Sequence, residues 1–145
     1  MKEILIQLLA AFFGSLGFTL LFGQRRRYVF VSSLGGLFAW AVYLLAERLI
    51  GMSFVSNLLA AAFSVLYAEL LAHLLKCPAT LFLTPAILPL VPGGELYYAM
   101  SSAVHGDMTL ARMHGVATLK AALAIAAGIS LVLAIRELHA KKLNP

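Results

Sequence analysis

The sequence has little charge and a single cysteine, and each scarcity excludes a class of protein. Charged residues make up 12% of the chain and hydrophobic residues 62%, which is far from the composition of a soluble globular domain. The lone Cys77 rules out an intrachain disulfide and a thiolate metal cluster built within one chain. We therefore expect an integral membrane protein in which Cys77 is a small apolar residue at a helix boundary.

Sequence motifs of familiar catalytic sites are also missing. The chain has no His-Glu-x-x-His, no Gly-x-Ser-x-Gly, no phosphate-binding glycine loop and no pair of cysteine doublets. His105, Asp107 and His114 have the chemistry of metal ligands, but their spacing matches no standard site, and a polar connecting loop explains them equally well. No basic, aromatic-interleaved face suits nucleic acid. We expect no enzyme activity, no cofactor, no metal site and no nucleic-acid partner.

Long apolar runs are what the sequence does contain. A transmembrane helix needs about 20 consecutive apolar residues. We expect one all-α membrane domain over residues 1–145, with about five transmembrane helices. The expected spans are residues 4–23, 28–46, 54–75, 79–100 and 115–135.

The fourth expected span is short and broken by proline. Its apolar run, residues 79–91, would extend roughly 20 Å as a helix, whereas the hydrocarbon core is about 30 Å thick. Pro85, Pro89 and Pro92 each remove a backbone donor and leave a carbonyl one turn earlier without its partner. Such a segment persists at membrane depth only where protein or a water-filled cavity surrounds it. We expect two half-helices that line a site.

The basic residues are divided unequally between the two sides of a five-span chain. One side carries Arg25, Arg26, Arg27, Lys76, Arg136, Lys141 and Lys142, and the other carries Lys2, Arg48 and Arg112. The positive-inside rule makes the larger group cytoplasmic. We therefore expect the amino terminus outside and the carboxyl terminus inside. If the proline run only dipped into the membrane and returned, four crossings would remain and the carboxyl terminus would lie outside.

Small residues recur at spacing four on two of the expected spans. The third span carries Ala60, Ser64, Ala68 and Ala72, and the last span carries Thr118, Ala122, Ala126, Ser130 and Ala134. Small residues let helix backbones approach closely in lipid. We expect these two helices to pack tightly, against each other or against a partner chain. Gly35 and Gly36, and Gly14 and Gly17, are further candidate points of close approach.

Outside the broken span, the expected spans contain three acidic, basic or histidine side chains. Glu69 and His73 are one helical turn apart, so the pair could relay a proton; alternatively, Glu69 pairs with a cation of a neighbouring helix and His73 lies at the headgroups. Lys120 could reach the outer surface with its long side chain or contact a substrate carboxylate. Glu69 and His73 are our candidates for proton coupling.

The end of the broken span is the candidate substrate pathway. Gly93 and Gly94 allow backbone conformations closed to other residues and let a ligand approach the main chain. A helix that restarts there would point the amides of Glu95 to Tyr97 at a carboxylate, and Glu95 could also cap that helix. The candidate pathway residues are Pro85, Pro89, Pro92, Gly93, Gly94, Glu95 and Tyr97; a purely structural kink is the alternative.

The segment from Cys77 to Met100, with its core Pro85-x-x-x-Pro89-Leu90-Val91-Pro92-Gly93, resembles the signature of the threonine/serine exporter family. More specifically, the chain resembles the small subunit of the split form of that family, in length and in span order.

The resemblance implies export of small hydrophilic metabolites across the bacterial cytoplasmic membrane, driven by the proton gradient. It implies threonine, serine or a dicarboxylate such as succinate as the substrate, and a larger membrane subunit as the partner. The competing hypothesis is a non-transporting membrane scaffold that holds a partner through its small-residue stripes. Three prolines at membrane depth speak against a scaffold, which gains nothing evident from them.

Overall fold

The structure, a computed structural model, describes residues 2–143, with side chains described for residues 2–138. The described chain is helical throughout. The helices are α1 (Lys2–Leu21), α2 (Arg26–Ile50), α3 (Ser53–Leu75), α4 (Thr80–Ile87), a 3-10 turn (Leu88–Leu90), α5 (Gly93–Val104) and α6 (Met108–Leu143). Within the described residues, α1, α2, α3 and residues 108–138 of α6 are long and apolar enough to cross a membrane. The all-α membrane fold is confirmed.

The fourth span is broken, as predicted. The short helix α4 contains Pro85, the 3-10 turn contains Pro89, and the chain becomes extended at Val91 before α5 begins at Gly93. Prolines spaced by three or four residues remove successive helical donors, so a regular helix cannot continue through them.

The last helix is longer than the predicted span 115–135. It begins at Met108, directly after Asp107, whose Oδ1 accepts hydrogen bonds from the backbone N–H groups of Thr109 (3.1 Å) and Leu110 (3.0 Å). An aspartate at this position satisfies amides that have no intrahelical acceptor. Hydropathy detects only the apolar part of a helix, which is why the polar first turns were missed.

Helices α3 and α6 run parallel. The backbone at Gly128 lies against Ala61, and Arg136 forms an ion pair with Glu69 at the same offset of 67 residues. The chain must therefore return along the length of α3 between the end of α3 and the start of α6. The broken span makes that return. It therefore crosses the bundle and is not a re-entrant segment that enters and leaves the membrane on the same side.

The core is built from small side chains around α3. One cluster joins Ala39, Ala60, Ala61, Leu90 and Ile125, and a second joins Tyr28, Ala68 and Phe82. Helix α4 and the 3-10 turn lie among α1, α2 and α3, whereas α5 packs mainly on α6 and has no buried residue. The two halves of the broken span therefore have different surroundings.

The two small-residue stripes do not pack on each other. Ala60 of α3 is buried with residues of α2, the 3-10 turn and Ile125 of α6, and Ala68 is buried with residues of α2 and α4. Ala126 of the α6 stripe is exposed. Helix α6 meets α3 through Gly128 instead, where an added Cβ would collide with the Leu58 carbonyl oxygen and lie 3.1 Å from the Ala61 Cβ. The predicted tight packing of α3 against α6 is therefore confirmed, although it does not use the α6 stripe. Packing of that stripe against a partner chain stays a prediction.

Candidate functional site

Polar side chains from the first helix and its following loop supply the hydrogen bonds that the prolines remove. Pro85 has no N–H for the Leu81 carbonyl, and the Gln24 Nε2 donates to that oxygen at 3.2 Å. Pro89 likewise has no N–H for the Pro85 carbonyl, and the Ser15 Oγ donates to the Pro85 oxygen at 2.9 Å. The break is thus stabilised by protein, the condition that a span of this kind must meet in a membrane.

Three helices converge where Ser15 meets Pro85, and Gly36 of α2 makes the convergence possible. A Cβ at Gly36 would collide with the Ser15 Oγ and lie 3.1 Å from the Pro85 carbonyl oxygen. At Gly35, an added Cβ would lie 2.9 Å from the Tyr67 ring and 3.1 Å from the Ala86 Cβ. The predicted close approach at Gly35 and Gly36 is confirmed, whereas an added Cβ at Gly14 or Gly17 would meet nothing within 4 Å.

A cavity of about 390 Å³, which we call the break cavity, opens at the interruption between the 3-10 turn and α5. It contains five of the predicted pathway residues, namely Pro89, Pro92, Gly93, Gly94 and Glu95. Its other walls are Trp40, Tyr43, Ser53, Asn57, Leu90, Val91, Tyr98, Ala117 and Ala121. Apolar and aromatic walls with a few polar groups are typical of a small-molecule site.

Two predicted pathway residues lie outside this cavity. Pro85 is buried lower in the bundle, at its contact with Ser15. Tyr97 is 67% exposed and does not line the cavity, whereas its neighbour Tyr98 does. Residues three or four positions apart share a helix face, so a helix that begins at Gly93 turns Glu95 and Tyr98 to the same side. This side faces α6, where both residues contact His114, and the sequence did not show which face of α5 meets α6.

The glycines at the break do not adopt the conformation that we expected of them. Among the described glycines, positive φ occurs at Gly23, Gly51 and Gly106, so Gly93 and Gly94 have ordinary helical backbone. An added Cβ at either position would meet nothing within 4 Å. Their contribution is the absence of a side chain beside the first amides of α5, which lack intrahelical acceptors.

Glu95 holds the two helices beyond the break together. Its Oε2 lies 2.7 Å from the Nδ1 of His114 on α6, and the Tyr98 ring lies 5.5 Å from the His114 ring. Glu95 therefore pairs with α6, and no side-chain cap is seen at the start of α5. The His105 Nδ1 is 2.8 Å from the Ser101 carbonyl oxygen. Within the described residues, no group of side chains is arranged to hold a metal ion.

Glu69 and His73 are not joined in the structure. The Arg136 Nη1 donates to the Glu69 Oε1 at 2.7 Å, and the Glu69 side chain is 16% exposed. His73 is exposed, and no hydrogen bond between the two side chains is found in the described part of the chain. The arrangement matches the alternative in which Glu69 faces a cation of a neighbouring helix.

Sequence reasoning missed the contributions of α2 and α3 to the break cavity. Trp40 and Tyr43 stack with ring centroids 4.8 Å apart. The Ser53 Oγ donates to the Glu47 Oε1 at 3.0 Å, while the Glu47 Oε2 is buried without a hydrogen bond among the described groups. In the sequence, the available signal for this part of the cavity was the presence of Glu47 and Asn57 near helix ends in an otherwise apolar chain.

Four long apolar helices and a broken span whose interruption opens into a partly polar cavity define a multi-span membrane protein, and broken spans of this kind are typical of transporters. The model of the threonine/serine exporter family, ThrE, matches the chain over residues 7–135. The chain belongs to this family, and the resemblance carried by the proline segment is confirmed. Searches of curated proteins and of solved structures found no match.

Proposed function

We propose that this chain is the membrane subunit of a two-component secondary exporter of small hydrophilic metabolites. The substrate class is threonine and serine, or a dicarboxylate such as succinate. The observation that carries the proposal is the break itself, whose freed carbonyls are satisfied by Ser15 and Gln24 while its far side opens into a cavity. Broken helices at membrane depth are characteristic of transporter binding sites.

The proposed route follows the groove between α1 and the broken span. A cavity of about 420 Å³, lined by Arg25 and Lys76 among others, opens at the end of the bundle where α3 finishes. Beyond it, Thr19, Thr80 and Thr84 line a smaller cavity that reaches Pro85. The contact between Ser15 and Pro85 then separates this side from the cavities at Pro89 and the break.

We propose that this contact is the closed gate of one conformation. A polar bond across a glycine-enabled contact can be exchanged for water more readily than an interdigitated apolar core can be opened. Movement of α4 relative to α1 would connect the two sides in turn. Alternating access of this kind is largely a rigid-body motion of helices around a fixed site.

The orientation proposed for the single domain of residues 1–145 is amino terminus out and carboxyl terminus in, in the bacterial cytoplasmic membrane. Arg25 and Lys76 line one cavity, and Arg136 lies at the same end of α3, which supports one basic face. The side chains of Lys141 and Lys142 lie outside the described residues.

Coupling to protons is proposed through Glu69, with His73 nearby at the same end of α3. Glu69→Gln keeps the shape of the side chain and removes its titration. We expect this variant to lose gradient-driven efflux and to retain substrate exchange without a gradient. Normal efflux by the variant would make Glu69 only the partner of Arg136.

The larger partner subunit is proposed to cover the exposed face of α6. A non-transporting scaffold is the second candidate, and the exposed small-residue stripe of α6 is the observation that favours it. The decisive experiment measures efflux of threonine, serine and succinate from cells that express this chain alone, the larger subunit alone, or both. Export that requires both chains supports the exporter. If export by the larger subunit is unchanged without this chain, the scaffold hypothesis replaces it.

A further inference from the structure

A second and larger cavity adjoins the break cavity and shares part of its wall. It has a volume of about 710 Å³ and lies between the start of α3 and the first half of α6; we call it the Arg112 cavity. Ser53, Asn57, Ala117 and Ala121 line both cavities. A molecule passing the break therefore has a second chamber beside it.

The Arg112 cavity carries two cations and no acid. Arg112 and Lys120 lie two turns apart on α6, and both line the cavity. None of the residues lining it is aspartate or glutamate. Glu95 pairs with His114 and Glu69 with Arg136, and Glu47 lies behind the wall, where its Oε1 accepts a hydrogen bond from the Ser53 Oγ.

Asn57 adds a directed polar group to this chamber. It is only 8% exposed, and its Nδ2 donates to the Ser53 carbonyl oxygen at 2.8 Å. The Asn57 Oδ1 accepts no hydrogen bond from the described groups, so it is available to accept one from a ligand. Polar groups with free bonding capacity in a largely buried position indicate a site that a polar molecule completes.

We propose that the Arg112 cavity, at the end of the bundle where α3 begins, binds the carboxylate group of the exported molecule. Arg112 and Lys120 would contact the carboxylate, and for an amino-acid cargo the Asn57 Oδ1 would also accept a hydrogen bond from its ammonium or hydroxyl group. Two cations facing a chamber with apolar walls attract an anion more strongly than the same cations in bulk water. This assignment rests on the proposed export function and names the chemistry that its cargo must present.

The test uses thiol labelling, which needs no transport. In a Cys77→Ser background, Ala117→Cys places one thiol on the wall that the two cavities share. The purified chain is placed in phosphatidylcholine vesicles and labelled with an anionic sulfonate or a cationic trimethylammonium methanethiosulfonate reagent. Each rate is divided by the rate of the same reagent with a free thiol in solution. We expect the anionic-to-cationic ratio of these corrected rates to exceed one, and the joint change Arg112→Gln with Lys120→Gln to lower it about tenfold.

Succinate and threonine are the probes for the cargo. Either one at millimolar concentration should slow labelling several-fold in the parent and not in the Arg112→Gln, Lys120→Gln variant. Arg48→Gln is the matched control, because Arg48 is a cation near the same end of the bundle that does not line the cavity. The Arg48→Gln variant should show the same anionic-to-cationic rate ratio as the parent and the same slowing of labelling by succinate or threonine.

Two results would overturn the proposal. Equal corrected rates for the two reagents, with no protection by succinate or threonine, would exclude an anion site. Slowing of the anionic reagent by phosphatidylglycerol in the vesicles, with no effect of succinate or threonine, would assign the cations to a lipid headgroup. Protection without any efflux from cells carrying both subunits would instead overturn the export function and leave the carboxylate site standing.

Discussion

At the scale of single residues, the chain resolves a conflict between proline and lipid with two polar side chains. An unpaired carbonyl in hydrocarbon costs several kcal/mol. Ser15 and Gln24 each donate to one of the carbonyls that Pro85 and Pro89 leave free. Because Ser15 is fully buried, no water replaces its bond when it is removed.

Ser15→Ala should therefore destabilise the fold by about 1–3 kcal/mol, because the Pro85 carbonyl is left without a donor. The measurement is denaturant unfolding of the purified chain in detergent micelles. Ser33→Ala is the matched control: Ser33 is equally buried, but its Oγ donates to the Val29 carbonyl within the same helix, which already has a backbone donor. Equal losses of unfolding free energy for the two variants would contradict the role of Ser15 as the donor that the Pro85 carbonyl needs.

At the scale of helices, the sequence predicted the elements well and their contacts poorly. Hydropathy and proline placement were sufficient for four long helices and a broken fourth span. They could not show that α5 turns Tyr98, not Tyr97, into the cavity, because that depends on which face of α5 packs on α6. Spacing alone could not choose the face of α6 that meets α3 either, because small residues occur on more than one face.

The open surroundings of Gly93 allow passage to be tested separately from folding. Since an added Cβ at Gly93 meets nothing within 4 Å, Gly93→Val should insert and fold normally while its side chain narrows the break cavity. We expect efflux to fall at least tenfold with both subunits present, measured as substrate released per unit of membrane-inserted protein. Gly14→Val, at a position with equally open surroundings away from the cavity, should leave efflux unchanged. Normal efflux by Gly93→Val would remove the break from the pathway.

At the scale of the whole molecule, the parallel pairing of α3 and α6 fixes the path of the chain. It requires the broken span to return to the end where α3 begins. Because Gln24, just after α1, lies beside Leu81 at the start of α4, the first turn of α1 and the last described turns of α6 lie at opposite ends of the bundle. Two orientations of the bundle in the membrane are then possible, and the positive-inside rule favours the one that places the more basic end in the cytoplasm.

Reporter fusions test that orientation directly. A reporter protein fused after Lys142 should be found on the cytoplasmic side, and one fused before Lys2 on the outer side. The reason is that cytoplasmic connecting segments hold most of the Lys and Arg. Changing Arg25, Arg26 and Arg27 to Gln should weaken this bias and give a mixed population. Both ends on one face would contradict the five-span topology.

The assembly of the protein should depend on the face of α6 that its own chain leaves uncovered. Ala126 is exposed, so Ala126→Leu should leave the fold intact and weaken co-purification with the larger subunit by blocking close backbone approach. Ala68 belongs to the other stripe but is fully buried against Tyr28 and Phe82, so Ala68→Leu should cost about 1–3 kcal/mol of unfolding free energy through overpacking. Comparing native-gel mobility with unfolding of each purified variant separates the two effects. If Ala126→Leu co-purifies with the larger subunit as the parent does, the exposed face of α6 contacts lipid and the partner binds elsewhere.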